Sequence, residues 1–220
     1  MILVGQYDSP FVRRVAVTLN HYQMGFERRV LSVFTDFEAV LTLNPLGKVP
    51  VLELDDGERL VDSRAILDHL DERARPEDRL VQAAGSARRT VLNVDAIALG
   101  LSEKLYERGI EFARRAVDKR DDNVVQRVER QIRSALDWLE KREPSPWFFA
   151  DGMTRADVTC AIAVTYMREK SRELVDPDRW PLLIAHCQRC EARSEFTRAA
   201  YSAAEASRSR WRSYRGQEPS

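Results

Sequence analysis

The sequence predicts two units, a small mixed α/β domain over residues 1–77 and an all-helical domain over residues 84–210. Three observations predict them. Within the first 75 or so residues, short apolar runs alternate with helical patterns, and Asp56-Gly57 marks a hairpin turn between two such runs. From about Ala84 the apolar residues recur at helical spacing almost to the end. Between the two lies Arg75-Pro76-Glu77-Asp78, polar and proline-bearing, the composition of a linker.

Ile2-Leu3-Val4 reads as a short buried strand, and Gly5-Gln6-Tyr7-Asp8 as a loop. Ser9-Pro10 is a helix start, a capping hydroxyl followed by proline at the first helical position. Phe11, Val12, Val15, Ala16 and Leu19 make one apolar face, with Arg13 and Arg14 largely off it. Gly25 is the expected left-handed C-cap. Phe26, Val30 and Val33 suggest a second strand, and residues 34–43 a loop with a short helix. A strand-helix-strand start implies a parallel pair with a crossover helix.

Residues 44–64 then read as loop, strand, turn, strand and helix start. Val51, Leu52 and Leu54 form the first strand, and Leu60 and Val61 the return. Ser63 precedes Ala65, Ile66, Leu67 and Leu70 and is the expected N-cap. Pro50 cannot donate to a sheet ladder, so it belongs at a strand's first residue or edge. A cis Val49-Pro50 bond would turn the Val49 N–H and C=O outward, where a peptide-like ligand could pair as an added strand. The helix opening at Ser63 presents free N–H groups and a positive dipole end, which suit a carboxylate. Together these describe a pocket for a short anionic peptide; an ordinary hairpin and capped helix would show the same local pattern.

In the second unit, Val91, Leu92, Asp95, Ala98, Leu99 and Leu105 outline one long helix, and Val124, Val125, Val128, Ile132, Leu136 and Leu139 a second. Pro144-Ser145-Pro146 interrupts the chain, Trp147-Phe148-Phe149 follows as an aromatic plug, and Asp151-Gly152 is a turn. Thr154-Arg155-Ala156-Asp157 has the form of a capping box with Asp157 in place of the usual Glu or Gln. The helix it opens carries Val158, Ala161, Ile162 and Thr165 and should be largely buried. A further helix follows Trp180-Pro181, and residues 211–220 form a mobile tail.

Composition narrows the function. The 35 basic and 35 acidic residues cancel, which argues against nucleic-acid binding. No apolar run approaches the roughly 18 residues of a membrane helix, and Ile2-Leu3-Val4 is too short for a signal peptide. Three cysteines are too few for a disulfide scaffold and fit a reducing cytoplasm. The histidines are scattered, so no metal site is expected. Cys187-Gln188-Arg189-Cys190 has redox-motif spacing but lies inside a predicted helix, where buried apolar thiols are the common case. His186 reads as a packed or surface histidine. Arg127, Arg130 and Arg133, interleaved with Glu129, read as a solvated helix face.

Four stretches, in this order and spacing, carry a resemblance: Ser9-Pro10-Phe11-Val12-Arg13, Asn44 to Leu52, Asp62-Ser63-Arg64-Ala65-Ile66, and Thr154 to Asp157. Over nearly its whole length the chain resembles the soluble glutathione transferases, most closely the bacterial branch with serine at the active position. The resemblance implies a thioredoxin-like N-terminal domain with a four-stranded mixed sheet, an all-helical C-terminal domain carrying the second-substrate site, and a homodimer in the cytoplasm. It implies glutathione as co-substrate rather than a bound cofactor, and a small apolar electrophile as acceptor. It implies a cis bond before Pro50, Val49 pairing with the cysteinyl unit, and Asp62 and Ser63 holding the γ-glutamyl end. The family often has Glu or Gln at the position of Asp62, which is one methylene shorter. Lys48 would approach the glycyl carboxylate, and Thr35 would close over the ligand. The acceptor pocket would include Phe11, Asp95 and Leu99.

In that setting the Ser9 hydroxyl donates to the glutathione sulfur and favours the thiolate, with Tyr7 as the competing hydroxyl. Arg13 could raise the local potential or form a structural ion pair. Residues Ser9 and Val12 stand where thioredoxin-like redox proteins place their cysteines, so chemistry through a mixed disulfide on the enzyme is not expected. A peroxidase or reductase without an enzyme cysteine, and a non-catalytic interaction module on the same fold, are the alternatives.

Overall fold

The structure is a computed structural model and describes residues 1–150 and 152–208. The expectation for the tail at 211–220 and the Asp151 half of the turn lie outside the described residues.

The N-terminal unit is a four-stranded sheet with helices. Strand β1 (Ile2–Val4) leads into α1 (Pro10–His21), then β2 (Glu27–Arg29), α2 (Phe37–Leu41), β3 (Val51–Glu53), β4 (Arg59–Val61) and α3 (Ser63–Arg73). The sheet order is β2-β1-β3-β4. β1 and β2 are parallel, as the crossover helix between them requires, and the β3–β4 hairpin adds two antiparallel strands. The C-terminal unit is helical: α4 (Gly85–Arg114), α5 (Asp122–Glu140), α6 (Arg155–Lys170), α7 (Pro181–Glu191), α8 (Ser194–Thr197) and α9 (Ala203–Arg208). The predicted mixed α/β domain followed by a helical domain is the architecture found.

Two local expectations are corrected. α1 ends at His21, and Gln23 rather than Gly25 takes the left-handed position, with φ 55°. Met24 N–H reaches back to Leu19 C=O (3.0 Å) and Gln23 N–H to Asn20 C=O (3.2 Å), the pattern of a Schellman stop. Those two bonds fix where the helix ends, and the glycine further on is not needed. At α3, Asp62 is the N-cap and Ser63 the first helical residue. The Asp62 carboxylate accepts from Arg64 N–H at 2.8 Å, while the Ser63 side chain turns inward.

Helix α6 is the centre of the molecule. Ala156, Cys160, Ala163, Val164 and Met167 pack into the helical core against α4, α5 and α7. Val158, Ala161 and Ile162 pack into a second core with Val12, Val15, Ala16 and Leu19 of α1. A helix apolar all round is stable only when it is covered all round, which is why its sequence shows little amphipathic contrast. At its start, Asp157 accepts from Thr154 N–H and hydroxyl (2.7 Å each), Phe148 N–H (2.9 Å) and His186 Nε2 (2.9 Å). A carboxylate only accepts, so His186 carries its hydrogen on Nε2.

The expectation that Arg13 and Arg14 lie off the buried face fails. Both are fully buried, at 2% and 1% exposure. Arg13 meets Glu191 of α7 in a two-point pair (2.7 and 2.5 Å) and donates to Ala199 C=O (2.6 Å). Arg14 meets Asp95 of α4 (2.6 Å), whose same oxygen accepts from Thr159 of α6 (2.5 Å). Arg155 of α6 pairs in return with Asp71 of α3. The seam between the two units is therefore ionic as well as apolar.

Candidate functional site

The sheet register gathers the implicated residues at one end. Val4 is the last residue of β1, and it pairs with Val51, the first residue of β3. Val51 pairs with Val61, the last residue of β4. The loop into α1, the Val49-Pro50 segment and the entry to α3 therefore leave the sheet at the same edge. Gly5 sits at the junction with φ 130°. A Cβ there would fall 2.5 Å from the Val12 side chain and 3.1 Å from Val49 Cβ. Only glycine permits the first strand's exit to pass between the start of α1 and Val49.

Each component has a distinct state. Ser9 is the N-cap of α1, half-buried, its Oγ accepting from Val12 N–H at 3.5 Å. That bond uses an oxygen lone pair and leaves the hydroxyl hydrogen available. Pro10 occupies the first helical position, and among the described residues Phe11 N–H has no protein partner. The Val49-Pro50 bond is cis. Among the described residues neither the N–H nor the C=O of Val49 has a partner within the protein.

Asp62 holds φ 69° and ψ 129°, a combination that costs a non-glycine residue about 1–3 kcal/mol and concentrates at functional sites. Its carboxylate is solvent-exposed at the mouth of α3. Ser63 is buried, and its Oγ accepts from Arg14 Nη1 at 3.2 Å. Burial lowers the Arg14 pKa, with Asp95 opposing that shift. A cation is thus held immediately behind the α3 N-terminus.

Tyr7 is buried, with the Arg28 guanidinium 3.4 Å above its ring. Burial raises its phenol pKa, and Arg28 counters in part. Asp8 is also pushed up by burial, with Lys170 at 3.5 Å pulling the other way.

The structure brings Ser9, Val49, Pro50, Asp62 and Ser63 to one edge, and Phe11 lies beside them on the first turn of α1. Lys48 is exposed in the neighbouring loop, and its carbonyl accepts from the Asn44 side chain at 2.8 Å. Thr35 is exposed in the loop after β2, its hydroxyl committed to Asp36 (3.1 Å). Asp95 and Leu99 lie inside rather than on an open wall, at 5% and 2% exposure, because Arg14 and Thr159 claim the Asp95 carboxylate.

A cavity of about 570 Å³ lies elsewhere, along α5 and lined by Arg130, Arg133, Trp138, Lys141 and Arg179 among others; no residue of the sheet domain borders it. The three thiols are buried, and burial raises the pKa of each. Cys187 and Cys190 are thus core residues of α7. Among the described residues no cluster suited to a metal ion occurs, and no helix is long and apolar enough to cross a membrane.

Sequence reasoning missed Arg14 as a neighbour of the site. A signal was present: apolar residues at 11, 12, 15, 16, 17 and 19 leave α1 little polar face, so Arg14 had to go inward.

Comparison with known proteins gives the same two halves. Residues 3–78 match the model of the glutathione S-transferase N-terminal domain, and residues 100–194 that of the C-terminal domain. A curated relative from Escherichia coli K12, the uncharacterized GST-like protein YibF, is 30% identical over 172 residues, covering 76% of this chain and 82% of its own. A glutathione transferase family member from Pseudomonas fluorescens Pf-5, solved with bound glutathione, superposes with TM-score 0.83 at 29% identity, covering 92% of this chain and 99% of that one. A glutathione S-transferase from Methylobacillus flagellatus, also with glutathione bound, gives TM-score 0.85 at 25% identity over 91% and 99% of the two chains. With both domains matched along the chain and the loops gathered as described, the protein belongs to the glutathione S-transferase family.

Proposed function

We propose that the protein binds glutathione at the shared sheet edge and conjugates it to a small apolar electrophile, using Ser9 to stabilise the thiolate. The single observation that supports this reading best is the juxtaposition of a half-buried N-cap hydroxyl, an unpaired Val49 backbone and two helix N-termini at one edge.

Glutathione is a tripeptide with a thiol between two carboxylate-bearing ends. The unpaired N–H and C=O of Val49 match the main chain of its cysteinyl unit, as one added strand residue. The first turn of α3, with Ser63 and the Arg14 cation behind it, suits the γ-glutamyl carboxylate. The outer Asp62 carboxylate suits the adjoining ammonium group. The exposed Lys48 cation suits the glycyl carboxylate, and closure over the ligand from the β2 side is assigned to Thr35. This assigns glutathione binding to residues 1–77 and the acceptor to a cleft between Phe11 and the 84–210 unit.

A free thiol with a pKa of about 8.5 is mostly protonated at neutral pH, whereas the thiolate is the nucleophile. A hydroxyl donated by Ser9 and the positive end of α1 favour the anion. The sulfur then attacks the electrophilic carbon held beside Phe11, forming the C–S bond as the leaving group departs with its electron pair. Ser9 donates throughout and never loses its proton. Tyr7, buried beneath Arg28, is the less accessible hydroxyl.

Ser9→Ala is expected to lower kcat with a chloroaromatic acceptor at least about tenfold, the scale of losing one transition-state donor, while KM for glutathione changes little. Steady-state kinetics on the two proteins checks this. Unchanged turnover in the variant would remove Ser9 from the chemistry and move attention to Tyr7. Failure of the wild-type protein to bind immobilised glutathione would sink the binding assignment itself.

A further inference from the structure

The segment from Ala199 to Glu205 lies against the turn that delivers Ser9 and the helices beside it. It meets α1 and α6 beside that turn, and through Glu205 the turn itself. Ala199 C=O accepts from Arg13 Nε at 2.6 Å. The Tyr201 ring lies 5.7 Å from Lys170 Nζ, and that lysine pairs with Asp8 at 3.5 Å. Glu205 makes the densest contact. Its Oε2 accepts Tyr7 N–H at 2.7 Å, and its backbone C=O accepts the Gln6 side-chain amide at 2.8 Å. Arg28 Nη2 bridges both Glu205 oxygens at 2.9 and 3.0 Å while its guanidinium covers the Tyr7 ring. Ser202 Oγ accepts Glu205 N–H at 3.1 Å, which fixes the start of α9.

These bonds fall where they matter. Gln6 to Ser9 is a single turn, closed by Ser9 N–H donating to Gln6 C=O at 3.1 Å. Glu205 holds the Gln6 side chain and the Tyr7 backbone, so it grips the first two residues of the turn that ends at Ser9. A carboxylate that accepts a main-chain N–H and two guanidinium contacts sets position more firmly than a neutral acceptor would. Arg28 also offsets the Glu205 charge, which would otherwise oppose a thiolate forming nearby. Tyr7 thereby has both its backbone and its ring occupied.

We propose that Glu205, nearly 200 residues from Ser9 in the chain, is a positioning residue: it fixes the Gln6–Ser9 turn so that the Ser9 hydroxyl meets the glutathione sulfur. This rests on the assignment of Ser9 above. Glu205 acts through the turn and touches neither substrate nor the reacting atoms. Misplacement of a donor by a fraction of its hydrogen-bond length is enough to weaken a charge-stabilising contact.

The test compares the wild-type full-length chain with Glu205→Ala, Glu205→Gln and Ser9→Ala. For each, kcat, KM for glutathione and the pH titration of the bound thiolate by its ultraviolet absorbance are measured, and a thermal melt establishes folding. Glu205→Ala is expected to lower kcat about tenfold with KM nearly unchanged, and to move the thiolate titration to higher pH because the lost Ser9 contact outweighs the opposing pull of the uncompensated Arg28 cation. Glu205→Gln retains an acceptor oxygen and the same shape, so it recovers part of both effects and remains informative should the alanine variant not fold. Wild-type kcat and titration in both Glu205 variants, alongside an impaired Ser9→Ala, would overturn the positioning role alone. An unimpaired Ser9→Ala would overturn the Ser9 assignment and this proposal with it.

Discussion

Replacing Asp95 by alanine is expected to destabilise the protein by about 3–5 kcal/mol, the cost of leaving a buried charge without its partner. Arg14 is 1% exposed and Asp95 5%, so water cannot replace the lost carboxylate. Thr159 would lose its acceptor as well. Among the described residues the Arg14 side chain would retain only the Ser63 hydroxyl, and its Nε already lacks a partner. A denaturant titration of wild type and Asp95→Ala measures the effect. The double variant Arg14→Met, Asp95→Leu is expected to recover most of the loss, because the penalty belongs to the orphaned cation rather than to a missing attraction. A loss under about 1 kcal/mol in the single variant would show that solvent reaches the pair. The double variant should also weaken glutathione affinity, since it removes the cation behind the α3 N-terminus.

Asp157→Ala is expected to cost about 3–4 kcal/mol, for a different reason. Four donors converge on this one carboxylate: the Thr154 N–H and hydroxyl, Phe148 N–H and His186 Nε2. Asp157 and His186 are both 0% exposed, and each buried donor left without an acceptor costs about 1–3 kcal/mol, less than additively. Asparagine is no remedy. Both carboxylate oxygens receive N–H groups, so either orientation of the amide sets an NH2 against a donor. Asp157→Asn should therefore lose at least about half as much stability as Asp157→Ala. Unfolding midpoints decide it; an asparagine variant as stable as wild type would mean that the cap tolerates a neutral partner.

The contrast between these two carboxylates explains what could be read from the chain. The Thr154–Asp157 pair is visible because its partners are three residues apart and the geometry is that of any helix start. The Ser9-Pro10 helix opening, the Asp56-Gly57 hairpin and the break before α6 are legible for the same reason. Asp95 was expected on an acceptor wall because position on a long helix gives a direction but not a neighbour. Its partners, Arg14 and Thr159, stand 81 and 64 residues away. Arg13 and Glu191 are 178 apart, and Tyr7 and Glu205 198. The Asp62–Ser63 exchange is a smaller failure of the same kind. Either side chain caps a helix well, and Arg14, remote in sequence, draws the serine inward and leaves the cap to the aspartate.

The seam between the sheet domain and the helices has a consequence for how such a chain could be divided. α1 contributes two guanidinium groups whose counter-charges, Glu191 and Asp95, both reside in the helical half, while Arg155 of that half depends on Asp71. Parting the two halves would break three ion pairs, six charged groups in all, and would uncover the apolar face that α1 shares with α6. Grafting this sheet domain onto a foreign helical bundle would succeed only if the graft also supplied acids at matching positions.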